Sequence, residues 1–385
     1  MVMNCNLPKI LSQVQPSPFD LLARCAHDGV MIREKTFAFV MAGGSGERFW
    51  PMSRQSTPKH LLRLLDDQTL LEATIRRLHG LIPLQNTFVL TNAAQLEATW
   101  AAVPFLPREN IIAEPLKRDT APACALATAI ARANDPEATC LVLPADAMIH
   151  DAEKFCAQLS DAVDAANESG AIVTLGIPPL FPATGYGYLE TLNERPRGKN
   201  GSTVRSLARF VEKPDLEKAT AYLEKGNFFW NSGIFVWRVS TFVEEARRQL
   251  PALADFVESL NSPSDLPALL AQKFASLPKI SVDYAIMENA REVLTVLAEF
   301  DWDDVGAWTA LPAHIVPDAD GNCIRGSVVG HDAHQNIAIS NGRLIALCGV
   351  SDLVVVETAD AILVCAKGSV QEVKALQPHL PQELK

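Results

Sequence analysis

The chain has 385 residues, too many for one ordinary core and suited to a large domain beside a small one. Its 48% hydrophobic and 21% charged residues exclude a disordered profile, and a formal net charge of -11 with no clustered positive stripe argues against a nucleic-acid partner. No apolar run is long enough to span a membrane, the start lacks the pattern of a secretory signal, and the eight cysteines form no C-x-x-C pair, so reduced thiols and a cytoplasmic location are expected.

Along the chain, residues 1–35 show no sustained period and read as a flexible N-terminal extension. From Thr36 to about Ile177, strand-like runs at 37–41, 87–90, 110–113, 140–143 and 171–175 alternate with helical patterns, which predicts a largely parallel sheet covered by helices. The clearest helix follows Asp67, where Leu70, Leu71, Thr74, Ile75 and Leu78 share a face before Gly80; an alanine-rich one covers 124–131. After Gly185 strands are predicted at 186–192, 204–211 and 234–239, with helices at 215–225 and 241–249, as in an inserted lobe. Beyond the breaker-rich stretch 311–322, short β-prone pieces recur at 324–329, 336–339, 344–347, 353–357 and 361–365. They suggest a small all-β module over 320–385, with a β-helix fragment as one form and no strict hexapeptide repeat. The large domain is placed at 36–312.

The strongest chemical signal is the string from Met41 to Arg54, followed by Thr57-Pro58-Lys59. A strand running into Gly43, Gly44 and Gly46 lets backbone N–H groups approach phosphate oxygens, while Arg48 and Lys59 add fixed positive charge. It is neither a Walker A loop nor a dinucleotide fingerprint, since Phe49 stands where the third glycine belongs. Taken alone, the glycines are as well explained by a surface turn. Two histidines, His331 and His334, stand in a polar turn and read as solvated rather than as a metal site.

The whole string resembles the signature of sugar-nucleotide pyrophosphorylases, in particular the mannose-1-phosphate guanylyltransferase branch. Further stretches match in order: 114–123, 143–146, 184–188, 210–214, 231–235, 281–285 and 302–308. The resemblance implies an α/β fold with a Rossmann-like, mixed-sheet nucleotidyltransferase domain of the GT-A-like kind. It implies GTP and mannose 1-phosphate as substrates, Mg²⁺ as cofactor and a possible homodimer. Arg48, Lys59 and Lys213 are the implied catalytic residues. Gly43, Gly44, Gly46, Arg118, Asp119 and Thr120 fall to the nucleotide, and Gly185, Tyr188, Glu212, Lys213 and Asn231 to the sugar phosphate in the inserted lobe. Asp146 and Asp304 are the implied metal ligands; Asp303 is the adjacent alternative, and Asp301 is expected to cap or hydrogen-bond nearby. Ala147 departs from the histidine common after the Leu-Pro-Ala-Asp stretch. His60 departs from glutamine and is expected on the surface. The competing readings are the same transfer with UTP or dTTP, and a sugar-nucleotide-binding regulator without turnover. With no stretch left for a cupin-type isomerase domain, a single activity is expected.

Overall fold

Six residues, Thr36–Met41, form strand β1 with its first five residues buried, because both faces of this strand are covered. The structure, a computed structural model, describes residues 33–44, 46–65 and 67–385; most of the expected N-terminal extension lies outside them. Helix α1 (Leu70–Leu78) follows, capped by the Thr69 hydroxyl, which accepts from the Glu72 amide at 3.1 Å. Its buried residues are the five apolar-stripe positions. Next come β2 (Thr87–Asn92), α2 (Leu96–Ala102), β3 (Ile111–Glu114), α3 (Thr120–Asn134), β4 (Thr139–Pro144), α4 (Ala152–Ser169) and β5 (Ile172–Ile177). Strands β6 (Gly187–Glu194) and β7 (Val204–Glu212), α5 (Leu216–Lys225) and β8 (Phe228–Arg238) lead to helices α6 (Val239–Gln249), α7 (Pro251–Glu258), α8 (Leu266–Lys273) and α9 (Val282–Ala285), then to β9 (Val293–Leu297).

These nine strands make one sheet in the order β3-β2-β1-β4-β8-β5-β9-β7-β6. The first four are parallel, as expected. The long strand β8 then enters between β4 and β5, antiparallel to both, so β5 is not the neighbour of β4 and the sheet is mixed. What holds β8 there is burial on both faces: Val236 belongs to one apolar core with α1 and α4, and Trp237 to the other with α3, α6 and α7. The Trp237 indole also donates to the Thr128 hydroxyl of α3 at 3.1 Å. Strand alternation does the sorting, since Ala38 and Val40 face the first core while Phe37 and Phe39 face the second.

The C-terminal strands are β10 (Cys323–Arg325), β11 (Val328–His334), β12 (Ile337–Ser340), β13 (Ile345–Ser351), β14 (Leu353–Glu357) and β15 (Ile362–Ala366). In chain order they alternate between two sheets: β10, β12 and β14 pair in parallel in one, and β11 with β13 in the other. That is the winding of a β-helix, closed by β15 running antiparallel to β14. Asparagines take the corners. The Asn336 side-chain amide donates to Asn322 Oδ1 at 3.0 Å, and Asn336 Oδ1 accepts from the Leu353 amide at 3.0 Å. This stacking of corner residues, rather than a hexapeptide repeat, links successive coils.

Candidate active site

The glycine loop leaves β1 at the carboxyl end of the parallel strands, where open α/β sheets bind ligands. Gly46 has φ 61°, and a Cβ there would stand 2.5 Å from Lys59 Cβ. Only glycine allows the loop to lie against Lys59. Gly43 and Gly44 differ, because added Cβ atoms there would meet nothing within 4 Å. Behind the loop the short turn Glu47–Phe49 anchors Phe49 against Trp308, ring centroids 4.9 Å apart, and leaves Arg48 half-buried at the mouth.

Lys59 is buried, 7% exposed, and its ammonium joins the two expected carboxylate positions. It pairs with Asp146 Oδ2 at 2.8 Å and donates to the Asp304 carbonyl. Asp146 follows β4 on a segment clamped from α1: the Arg77 guanidinium donates to the carbonyls of Ala147 and Ile149, both at 3.0 Å, and to the Thr74 hydroxyl at 2.8 Å. Burial pushes the Arg77 guanidinium down to about 10. A two-way backbone bridge between Met148 and Asp303, at 2.8 and 3.0 Å, ties this segment to the one carrying Asp304.

The three neighbouring aspartates divide as follows. Asp301 accepts from the amides of His150 and Asp151, and Asp303 accepts from the Val305 amide at 2.7 Å and meets His314 Nε2 at 3.0 Å. Both are committed to holding the turn, which leaves Asp304 facing the cleft, where Tyr186 donates its hydroxyl to Oδ1 at 2.6 Å. Burial raises the Asp304 carboxyl, with Asp303 and Asp146 adding to the rise and Tyr186 and Lys59 opposing it. Tyr186 itself is pushed far up by burial and by Asp304.

Arg48, Lys59, Asp146 and Asp304 thus line one cavity of about 530 Å³, together with Gly46, Gly185, Glu212 and Asn231. Glu212 Oε2 would lie 2.6 Å from a Cβ at Gly187, so that glycine admits the carboxylate. Glu212 accepts from Lys213 Nζ at 2.6 Å, and Lys213 holds φ 46°. Asn231 Oδ1 accepts from Thr174 Oγ1 at 3.1 Å and the Gly233 amide at 3.2 Å, which fixes its amide. Asp283, on α9, completes this wall; burial and Glu212 push it up to about 6.

Other expected residues lie elsewhere. Tyr188 is fully buried and gives its hydroxyl to the Ala183 carbonyl at 2.9 Å, so Tyr186, two residues earlier and at the same strand's mouth, is the tyrosine that lines the cleft. Arg118 donates to the Ala275 carbonyl, Asp119 accepts from the Thr120 amide at 2.8 Å at the start of α3, and Thr120 accepts from the Val282 amide at 2.8 Å. None of these three lines the cavity, and neither do Gly43, Gly44 or Lys213. Nor is His60 on the surface: it is 3% exposed, and burial lowers it to about 4, keeping it neutral. Tyr186 and Asp283 lie in the matched stretches 184–188 and 281–285 but are not singled out by the sequence, and Arg77 lies in none of them. Arg77 carried no signal, since one arginine on a helix reads as a solvated face.

The donor set fits a hard cation. Asp146 and Asp304 supply acceptor-only oxygens to one cleft, and the Asp146 charge adds to the rise of the Asp304 carboxyl. Among the described residues no group of three or more His, Cys, Asp or Glu side chains is placed to hold a metal ion.

Residues 37–318 match the nucleotidyl transferase family model and residues 326–380 the model of the mannose-phosphate isomerase/GMP-like β-helix domain. A mannose-1-phosphate guanylyltransferase of Escherichia coli K12 is 39% identical over 353 residues, covering 89% of this chain and 73% of that protein. The alginate biosynthesis protein AlgA of Pseudomonas aeruginosa is 37% identical, covering 87% and 70%. The crystal structure of mannose-1-phosphate geranyltransferase from Thermus thermophilus superposes with a TM-score of 0.81 at 37% identity, covering 90% of this chain and 99% of that one. By sequence, by fold and by the order of its two structural units, the chain belongs to the mannose-1-phosphate guanylyltransferase family of nucleotidyl transferases.

Proposed function

We propose that this protein transfers GMP from GTP to mannose 1-phosphate, giving GDP-mannose and pyrophosphate. The observation that carries this reading is Lys59 joining Asp146 and Asp304 beneath the glycine loop, with Glu212 and Asn231 in the same cavity. One end suits a triphosphate and the other a polyhydroxylated phosphate. The sugar phosphate is already an ionised nucleophile, so one in-line step suffices: its oxygen bonds to the α-phosphorus as the bond to pyrophosphate breaks. Arg48, Lys59 and the open backbone at Gly43 and Gly44 take the triphosphate. Glu212 and Asn231 accept and donate to sugar hydroxyls, and Lys213 meets the attacking phosphate. Asp146 and Asp304 would hold Mg²⁺, which when bound neutralises charge between the two polyanions. In this reading residues 36–312 perform the transfer, residues 320–385 brace the glycine loop, and the enzyme works in the cytoplasm, where nucleoside triphosphates are made. A pyrophosphate-release assay crossing GTP, ATP, UTP and dTTP with mannose, glucose and N-acetylglucosamine 1-phosphates tests the reading. GTP with mannose 1-phosphate should give the highest kcat/KM; a tenfold preference for UTP or dTTP would defeat the assignment.

A further inference from the structure

The cavity contains a residue from the C-terminal module that neither the motifs nor the proposed chemistry uses. After β15 the chain winds as a 3-10 helix, Lys367–His379, packed on the Glu47–Phe49 turn, the Trp308–Ala313 turn and the end strands of the β-helix. Three residues per turn place every third side chain on one stripe. Val370 and Val373, each 3% exposed, form the stripe that sinks into the cluster of Phe49, Trp50 and Trp308. Gln371 and Lys374 form the next one, and both face the cleft: Lys374 lines the 530 Å³ cavity, and Gln371 lines its neighbour, which shares Arg48, Tyr186 and Asp304.

Lys374 has no hydrogen-bond or ion-pair partner among the described residues, although Asp146, Asp304, Glu212 and Asp283 line the same cavity. Arg48 and Lys59 are the other lysine or arginine side chains of that lining, and Lys59 is already engaged. An unengaged ammonium on a segment pinned by two buried valines is a charge held ready for an incoming anion. Because its helix packs on the turn that carries Arg48, that anion is the far end of the triphosphate rather than the sugar phosphate.

We propose that Lys374 binds the β- and γ-phosphates of the nucleoside triphosphate and the pyrophosphate released from them, so that the β-helix module supplies a side chain to the active site. The inference rests on the function proposed above. Its test uses the full chain with Lys374→Ala, and Lys374→Gln as a second variant that keeps most of the stem; both should fold, because the side chain is exposed. Removing one charge-assisted contact should raise KM for GTP in the forward direction, and for pyrophosphate in reverse, about tenfold. KM for mannose 1-phosphate should stay within about twofold, and Lys374→Arg should restore most of the loss. Direct titration with inorganic pyrophosphate should show the same loss of affinity, larger at low ionic strength. Unchanged pyrophosphate affinity in Lys374→Ala, or a wild type that binds no pyrophosphate, would overturn the proposal. A wild type that binds pyrophosphate but turns over no GTP would instead overturn the functional reading, with the titration still deciding the part played by Lys374.

Discussion

Lys59 touches the Asp146 side chain and the Asp304 backbone, so its removal should disturb charge without opening the core. Lys59→Ala is expected to fold and to lose about 10²- to 10³-fold in kcat, the usual cost of one preorganised donor; a near-normal kcat would remove it from the site. Asp146→Asn and Asp304→Asn should each weaken Mg²⁺ dependence. If they share one ion, the double variant should cost much less than the two single losses combined, whereas strict additivity in log kcat/KM would separate their roles. His60 gives a pH prediction. Its folded value of about 4 lies below its ordinary 6.5, so the unfolded chain binds the extra proton between those limits. Stability should therefore be full above pH 6.5 and fall as pH drops toward 4, by at most about 3 kcal/mol. Urea unfolding of His60→Gln across that range should show a flatter slope, and an unchanged slope would contradict the assignment. That Asp301 hydrogen-bonds nearby was legible in the sequence; that Asp303 holds the Val305 amide and His314 was not, since the sequence leaves it as an alternative to Asp304. Which of Tyr186 and Tyr188 reaches the cleft was not, because the choice depends on where the strand begins, and Tyr186 lies just outside β6.

At the scale of elements, the glycine loop separates two demands that sequence cannot distinguish. Gly46 is required by the protein, since Lys59 and a left-handed backbone leave no room for a side chain. Gly43 and Gly44 have open space around them and are required, if at all, by the ligand. Gly46→Ala should thus cost more than about 1 kcal/mol of stability as well as activity. Gly44→Ala should melt normally while raising KM for GTP; equal thermal destabilisation in both would show that the loop is uniformly tight. The apolar strands β1, β2, β4 and β5 and the stripe of α1 were readable because hydrophobic period and burial coincide there. Helix α4 shows no clean apolar period in the sequence because its buried face carries Gln158, Ser160, Asp161 and Asp164. Their partners come from remote chain: Arg33 meets Asp164 at 2.6 Å, and the Ser202 amide donates to Asp161 at 3.1 Å. No local window contains such pairs. The central place of β8 was likewise out of reach, since nothing within eleven residues states which two strands they will separate.

Across the whole molecule, the run from Trp50 to Arg54 ties the two structural units together. Trp50 and Phe49 pack in one apolar cluster with Trp308 and with Ile337, Ile339, Val354 and Val356 of the β-helix. The Trp308 indole donates to the Trp50 carbonyl at 3.2 Å, and Arg54 pairs with Asp360 at 3.0 Å. Trp50 and Arg54 join the β-helix to the glycine loop, and neither of them lines the cavity. One continuous cluster predicts one calorimetric unfolding transition, with Trp50→Ala lowering Tm by several degrees; two well-resolved transitions in the parent chain would refute the joint core.

The hydrogen bond from the Trp50 indole to the Leu384 carbonyl, 3.0 Å long, joins residues 334 positions apart. Contacts of that separation carry a large loop-closure entropy, which slows their formation relative to local helices. The glycine loop, early in the chain, thus completes its support only when the far end has been gathered in. In a refolding time course, helical circular dichroism should return first and nucleotide binding afterwards, with the interval between them set by how fast the β-helix docks.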